Sequence, residues 1–218
     1  MESIKNAIRL KGFHLALFLV PSQWKSVRVA GLLSEVLGDI FTGEPGILPL
    51  PIDAPAEIPR IVMNRENVAQ LTISAVRADL HLGEQMADWS HINLVSGRLV
   101  DSIVGDLKLQ VIRVGVVFVC EIMSDDPLRH ISQRFLKPID LMDELDLAWH
   151  DFMNVGNERC NRWRRFCVGP PLGGKRELIV DVNTLAEADS PRSAENIKEF
   201  TSSLIIQVGG DFDGVVGW

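Results

Sequence analysis

The spacing of hydrophobic and polar residues changes between two periods along the chain and predicts strands interleaved with helices. The apolar run Phe13–Val20 is short and bounded by a glycine and a proline, which indicates a buried strand. Beyond Pro21, apolar residues recur every three or four positions, which predicts a helix with Ser22 as its N-cap and Gly43 after its end. Residues 44–59 contain five prolines and are expected to run extended along the surface.

Two further segments complete this first group of elements. Residues 60–83 predict a hairpin, because two β-rich runs flank the turn-forming residues 64–67. Residues 84–107 predict a helix, since their large apolar side chains can share one broad face. The first half of the chain therefore has the order strand, helix, link, hairpin and helix.

A similar order recurs in the second half of the chain. Residues 108–122 form a β-branched run that predicts a strand, and Asp125, Asp126 and Pro127 are typical of the start of a short helix. A second irregular link is expected at 137–158. The remaining predictions are strands at 159–168 and 175–183, joined by the loop 169–174, and a closing helix capped by Ser193.

This order of elements predicts an α+β fold, with a mainly antiparallel sheet and helices packed on one face. The length of the chain suits a single domain, residues 1–218. The recurring order strand, helix, hairpin, helix also leaves open a two-fold pseudo-repeat, with similar halves at 1–106 and 107–218. The halves share no convincing residue-by-residue identity, so the repeat is one of pattern.

Composition and charge restrict the classes of function. Apolar residues make up 46% of the chain and charged residues 23%, as in ordinary globular proteins. The net charge of -7 disfavours general binding to nucleic acid, because the phosphate backbone repels an acidic protein. The three cysteines include no CxxC pair, which favours a reducing compartment. The apolar run Leu15–Val20 is too short for a signal core or a membrane span, so we expect a cytoplasmic protein without membrane attachment.

The segment Gly169–Lys175 fits the phosphate-loop pattern G-x-x-x-x-G-K, but its surroundings argue against a nucleotide site. The lysine is followed by Arg176 instead of the serine or threonine that binds magnesium. A β-branched run follows where a helix is required, and Pro170 and Pro171 remove two N–H donors from the loop. We interpret the segment as a hairpin loop.

Four arginines, Arg159, Arg162, Arg164 and Arg165, surround Trp163. One interpretation is a strand with a cationic face that is paired to nearby acids. The other is a site for an anionic ligand or partner. The candidate ligand-binding residues for that site are Arg162, Arg164, Arg165 and Lys175.

No set of residues predicts catalysis, a metal or a cofactor. The histidines show no metal-binding spacing, and His14 and His81 lie in apolar strand runs that favour core or edge histidines over ligands. His150 and Cys160 could form a thiolate pair only if the fold brought them together. The acidic residues at 124–126 are explained by helix capping. We therefore predict no catalytic, metal or cofactor residues.

Several strand patterns together resemble a sporadically distributed family of uncharacterised bacterial proteins. The stretches that carry the resemblance are the proline-rich link 48–63, the strand pattern 71–80, the run 111–123 and the strand 177–183. Arg77 and Arg113 match the arginines of that family, whereas Val117 and Cys120 stand where it tends to have polar residues. The resemblance implies no established activity. The scattered distribution of that family suggests that its members are encoded by accessory genes in mobile or defence-related loci.

Two functional hypotheses follow. The first is a non-enzymatic cytoplasmic component that binds a protein partner or forms a homo-oligomer, for which Arg77, Arg113 and Trp163 are candidate structural or interaction residues. It is based on the missing catalytic set, the long links and the abundant strand edges; the acidic stretch 143–152 is either an amphipathic turn or a docking segment. The alternative is a sensor or enzyme for a small anionic ligand that uses the arginines around Trp163.

Overall fold

The fold is built on one nine-stranded antiparallel sheet. A computed structural model describes residues 8–51, 53–123, 145–168, 176–185 and 190–210. The strands are β1 (Ile8–Leu19), β2 (Gly46–Ile47), β3 (Ile61–Arg65), β4 (Ala69–Ile73), β5 (Arg77–Leu82), β6 (Val111–Ile122), β7 (Leu145–Val155), β8 (Glu158–Val168) and β9 (Arg176–Thr184). They lie in the order β2-β3-β4-β5-β1-β6-β9-β8-β7.

Helices pack on one face of this sheet, which we call the inner face. They are α1 (Ser26–Leu37), α2 (Trp89–Val100) and α3 (Ala194–Gly210), with a 3-10 turn at Glu84–Met86 and a π-helical turn at Asp101–Asp106. The predicted α+β class, with an antiparallel sheet and helices on one face, is confirmed. None of the described helices combines the length and apolar character needed to cross a membrane.

Alternation of side chains along each strand separates an apolar inner face from a polar outer face. On the central strands, Leu15, Leu17, Val116 and Phe118 are buried beneath the helices, as expected for a period of two. The Phe118 ring lies 5.8 Å from the ring of Trp89 at the start of α2. This apolar layer joins the sheet to the helices in one hydrophobic core.

A β-bulge interrupts the alternation in β1. The register with β6 shifts between Leu10 and Gly12, and both Leu10 and Phe13 are buried. Because one strand has an extra residue at the bulge, Leu10 and Phe13 lie on the same face although they are three positions apart. The bulge therefore determines that His14 lies on the outer face.

Several predicted elements differ from the structure in their bounds. The first helix begins at Ser26 with Lys25 at its N-cap, so the predicted cap at Ser22 was wrong. The segment 60–83 forms three strands instead of a simple hairpin, because Ser74 to Val76 make a second turn. The predicted helix 84–107 is divided, since Asp88 is extended and caps a new helix.

The largest correction concerns the segment predicted as the second link. Residues 145–155 form β7, which pairs with β8 along its whole length. The predicted strands at 159–168 and 175–183 agree with β8 and β9, and Ser193 accepts a hydrogen bond from the backbone N–H of Asn196 as a cap. The predicted helix at 126–136 and the loop 169–174 lie outside the described residues.

Both halves of the chain contribute to the single sheet. Strand β1 is followed by the meander β3 to β5 and by α2, and β6 is followed by the meander β7 to β9 and by α3. This is a likeness of connectivity between described elements, and an internal repeat stays a prediction. The halves meet where β1 pairs with β6.

The N-terminus of α2 offers a test of local stability. The Asp88 side chain accepts hydrogen bonds from the backbone N–H groups of Ser90 (3.0 Å) and His91 (3.1 Å). Asp88→Ala should lower the free energy of unfolding by about 0.5–2 kcal/mol, since two backbone donors lose their partner. Lys25→Ala is the matched control, because Lys25 makes no side-chain cap to α1. Urea unfolding of both variants measures the difference, and equal losses would contradict a capping role.

Candidate functional site

Polar side chains gather at the centre of the outer face, where strands β5, β1, β6 and β9 lie side by side. Strand pairing places Phe18 between Arg77 and Arg113, and Ala16 between Asp79 and Gly115. We call this group the central polar cluster. Its members are His14, Phe18, Arg77, Asp79, His81, Arg113, Asp181 and Asn183.

Two small residues, Ala16 and Gly115, lie between the larger side chains of the central polar cluster. Ala16 and Gly115 are neighbours on the central strands, and both are buried. A Cβ atom on Gly115 would lie only 2.5 Å from Oδ1 of Asn183 and 3.7 Å from Cβ of Ala16. Any larger residue at position 115 would therefore displace the Asn183 side chain from its present position.

Phe18 holds two guanidinium groups in place. The Cζ atom of Arg113 lies 3.9 Å from the centre of the Phe18 ring, and that of Arg77 lies 4.9 Å from it. Arg77 also forms an ion pair with Asp79, with 2.7 Å between its Nη2 and Oδ1. Arg113 has no hydrogen bond or ion pair to any described residue, and its Nε is buried without a partner there. A cation that is half-buried and not neutralised thus lies on this face.

Asp181 gives the cluster a second incompletely neutralised charge. Burial raises the pKa of this carboxyl above its ordinary value, and a hydrogen bond from Asn183 Nδ2 to Oδ1 (2.5 Å) acts in the opposite direction. The positive charges of His14 and Arg113 also favour the ionised form, without forming an ion pair with it among the described residues. The centre of the face thus holds opposite charges that do not saturate one another.

His14 and His81 face each other across the β1–β5 pair. Their rings stack with centroids 3.9 Å apart and an angle of 12° between planes. Nε2 of His14 lies 2.8 Å from Oδ1 of Asp79. Burial acts to raise the pKa of Asp79, but the hydrogen bond with His14 and the charge of Arg77 outweigh it and hold the pKa below its ordinary value. The interpretation of His14 as a satisfied histidine agrees with this contact.

The arginines around Trp163 are divided between the two faces of β8. Arg162 and Arg164 point to the inner face, where both donate to Asp151 Oδ2, at 2.7 Å and 2.5 Å. Arg164 is only 3% exposed, and burial lowers the pKa of its guanidinium to about 10. Two of the predicted ligand-binding arginines therefore share one carboxylate on the inner face.

The other members of the predicted arginine site lie elsewhere. Arg165 is on the outer face, where it forms a bidentate ion pair with Asp146. Trp163 is also on that face, 52% exposed, with its ring 4.6 Å from that of His150. Lys175 lies outside the described residues. The structure thus separates Arg162 and Arg164 from Arg165 and Trp163, and a common anion site formed by all of them stays a prediction.

The cysteines behave as apolar side chains. Cys120 and Cys160 are buried, and burial raises the pKa of each thiol to about 12. Cys160 is on the inner face of β8, whereas His150 is exposed on the outer face of β7. The fold therefore does not bring this histidine and this thiol together as a nucleophile and base.

A cleft lies at the other end of the sheet. It has a volume of about 640 Å³ and is bounded by the β7–β8 turn, the segment 190–192 and the first turns of α3. Its charged groups include Glu158 and Arg192, which form an ion pair with each other. Arg159 and Glu199 also line the cleft, so its charged groups are of both signs.

Comparison with known proteins found no matching family model and no matching curated protein. The resemblance through Arg77 and Arg113 stays a prediction, and function has to be argued from the geometry. Sequence reasoning named these two arginines but not Asp79, Asp181 or Asn183. The available signal was a polar residue at every second position, as in Arg77, Asp79 and His81 on β5.

The two aspartate–arginine groups of β7 and β8 differ in burial and allow a matched test. Asp151→Asn should destabilise the protein by about 1–3 kcal/mol, because the charged acceptor of two inner-face arginines is lost. Asp146→Asn removes only the exposed pair with Arg165 and should destabilise the protein much less, because water screens an exposed ion pair. Chemical unfolding at neutral pH measures both, and equal costs would contradict the distinction.

The same pair of variants predicts a pH dependence. The hydrogen bond with Arg162 is the main influence that holds the pKa of Asp151 below its ordinary value. The stabilisation from Asp151 should therefore be complete above the pKa of an unfolded aspartate, about 4, and should be lost as the pH falls through the lower folded value. Unfolding curves of the wild type and Asp151→Asn should converge in acid; a constant difference would contradict this assignment.

Proposed function

We propose that the protein is a binding protein for a small anionic ligand, which it holds on the outer face of the sheet with Arg113 as the anchor. The observation that carries this proposal is the half-buried guanidinium of Arg113, which has no hydrogen bond or ion pair to any described residue. Burying a charge without a partner is costly, so such a group is retained most readily where a ligand supplies the partner.

The surroundings of Arg113 favour a planar or tetrahedral anion. A guanidinium presents its N–H donors in a fixed fork that fits a carboxylate or phosphate through two hydrogen bonds. The Phe18 ring supports the Arg113 guanidinium from one side and fixes its plane. Arg77 lies over the same ring and adds positive potential, although its own hydrogen bonds go to Asp79.

The proposal also limits the kind of ligand. Asp79 and Asp181 lie near the arginines, so a ligand with several negative charges would meet repulsion on either side. A small molecule with one anionic group and further hydrogen-bond donors fits the mixture of charges better. The overall acidity of the chain likewise argues against a nucleic acid as the ligand.

This site replaces the arginines around Trp163 as the place where an anion would bind. The proposed function belongs to the same class as the alternative hypothesis from the sequence, a sensor or enzyme for a small anionic ligand. Arg162 and Arg164 contribute to stability in this view, since both form ion pairs with Asp151 on the inner face.

A thermal-shift series with Arg113 variants tests the anion site. Acetate, glycolate and lactate, each with one carboxylate, are the probes, and at least one should raise the melting temperature of the wild type by stabilising the folded state. Arg113→Gln should abolish the shift. Arg165→Gln is the matched control, because it removes an outer-face arginine that Asp146 already neutralises.

The outcomes separate binding from folding. Arg113→Lys is the second variant, in case Arg113→Gln does not fold. It keeps the positive charge and loses the planar fork of N–H donors, so the probes should raise its melting temperature less than that of the wild type. No response of the wild type to any probe, or an equal response of the wild type and Arg113→Gln, would overturn the proposal.

A second candidate, self-association, is favoured by the edge strand β7. It is 11 residues long and pairs only with β8 among the described strands. Natural sheets usually protect such an edge with lysine, proline or a short length, and β7 has none of these. Its side chains at Phe152 and the neighbouring Trp163 are 51% and 52% exposed on the same face. We propose a second copy of this chain as the occupant of that edge.

The sequence of β7 is compatible with antiparallel pairing to itself. A two-fold axis at His150 would place Asp146 opposite Asn154 and Asp151 opposite Trp149. No two carboxylates would then face each other directly, which avoids like-charge repulsion across the new strand pair. The sheet would continue from one copy into the next through main-chain hydrogen bonds.

Sedimentation analysis tests this pairing. The wild type should sediment as a dimer, and the double variant Ala148→Lys, Phe152→Lys should sediment as a monomer, because edge lysines oppose strand addition. The double variant Gln70→Lys, Thr72→Lys is the matched control, since it adds the same two charges to the outer face of an interior strand, β4. A monomeric wild type, or a dimer that survives the double substitution, would refute pairing through β7.

A further inference from the structure

We propose that His14, Asp79 and His81 form a binding site for a divalent transition-metal ion of the zinc type. One candidate ligand atom from each residue lies within 4.8 Å of those from the other two. No other group of three such residues with this spacing occurs in the part of the chain that the structure describes. The proposal goes beyond the anion site, because it uses different ligand residues and a different chemistry.

The sheet itself brings these three side chains together. Register places His14 of β1 directly opposite His81 of β5, and Asp79 lies two residues before His81, so all three point to the outer face. Rigid neighbouring strands hold side chains more accurately than loops do. His81 is the exposed member of the group, and its ring can therefore turn towards an ion with little repacking.

The types of ligand select the type of ion. Two imidazole nitrogens and one carboxylate suit zinc, copper, nickel or iron(II), whereas magnesium and calcium prefer sites made of oxygen atoms. Zinc binds histidine nitrogen at about 2.0–2.1 Å, and three protein ligands leave at least one position open to water or to another small ligand. A site of this composition is an open one and differs from a closed structural site.

Asp79 has an oxygen available for the ion. Its Oδ1 accepts hydrogen bonds from His14 and from Nε of Arg77, at 2.8 Å and 2.7 Å. Its Oδ2 has no hydrogen-bond partner among the described residues. Arg77 thus orients the carboxylate in the way that outer hydrogen-bond partners orient metal ligands.

The protonation states agree with this assignment. Burial, and then the charge of the adjacent His14, hold the pKa of His81 below its ordinary value. At neutral pH the His81 imidazole is therefore neutral, which is the form that binds a metal. The neighbouring carboxyl of Asp79 remains ionised under the same conditions.

Metal titration of the purified full chain tests the proposal. After dialysis against a chelator and then against metal-free buffer, Zn²⁺ should bind with a stoichiometry of one ion per chain in calorimetry. Co²⁺ should give the visible absorption bands of a four-coordinate site. His81→Gln and His14→Gln should each weaken Zn²⁺ binding by at least about tenfold. Loss of a residue that only hydrogen-bonds to a metal ligand already costs about that much, and loss of a ligand should cost no less.

Two control variants make the result specific. His150→Gln removes an exposed outer-face histidine on β7 and should leave Zn²⁺ binding unchanged. Arg113→Gln should also bind Zn²⁺ normally, so loss of anion binding and loss of metal binding are distinguishable. Circular dichroism confirms that each variant is folded. Absence of saturable binding in the wild type, or unchanged binding in His81→Gln and His14→Gln, would overturn the proposal.

Discussion

Antiparallel pairing between β1 and β6 is the constraint on which the rest of the structure depends. The two strands lie at the centre of the sheet, and every other strand is added outward from them. Their register determines which side chains are neighbours on each face. On the inner face it aligns the apolar residues that the helices cover, and on the outer face it aligns Phe18 with Arg113 and Ala16 with Gly115. The central polar cluster therefore takes residues from both halves of the chain and exists only when the halves are joined.

Charge is used differently on the two faces of the sheet. The inner-face arginines of β8 share Asp151, so the cost of desolvating them is offset within the fold. On the outer face, Arg113 and Asp181 are half-buried near each other without forming an ion pair among the described residues. Groups of the first kind hold the sheet together, whereas groups of the second kind have capacity left for a ligand. Under the proposed function, this contrast, more than the number of arginines, distinguishes the residue that would bind a ligand from those that stabilise the sheet.

Local patterns were sufficient for much of the fold and insufficient for the site. The strands β1, β6 and β9 and the cap at Ser193 have clear signals in adjacent residues, and the structure agrees with them. Strand β7 was not recognised, because the charged Asp151 lies on its inner side and the apolar Ala148 and Phe152 lie on its outer side, which breaks the alternation of polar and apolar residues. The contact of Arg77 and Arg113 over Phe18 depends on strand order, which no local pattern contains. By contrast, strand alternation alone places Arg162 and Arg164 on one face of β8 and Trp163 and Arg165 on the other. This division could have been predicted from the sequence.

The bulge in β1 has a consequence for how this surface can change in evolution. It acts as a phase shift between two stretches of alternating residues, Ile8–Leu10 and Phe13–Leu19. Removing the extra residue there would restore perfect alternation and leave both stretches on their present faces, because Leu10 and Phe13 would then be two positions apart. A deletion within Phe13–Leu19, where the pairing with β6 has no extra residue to lose, would instead move His14 to the inner face and Leu15 to the outer face on one side of the change. The bulge is thus the place in β1 where the chain can change its length by one residue without exchanging the two faces of the sheet.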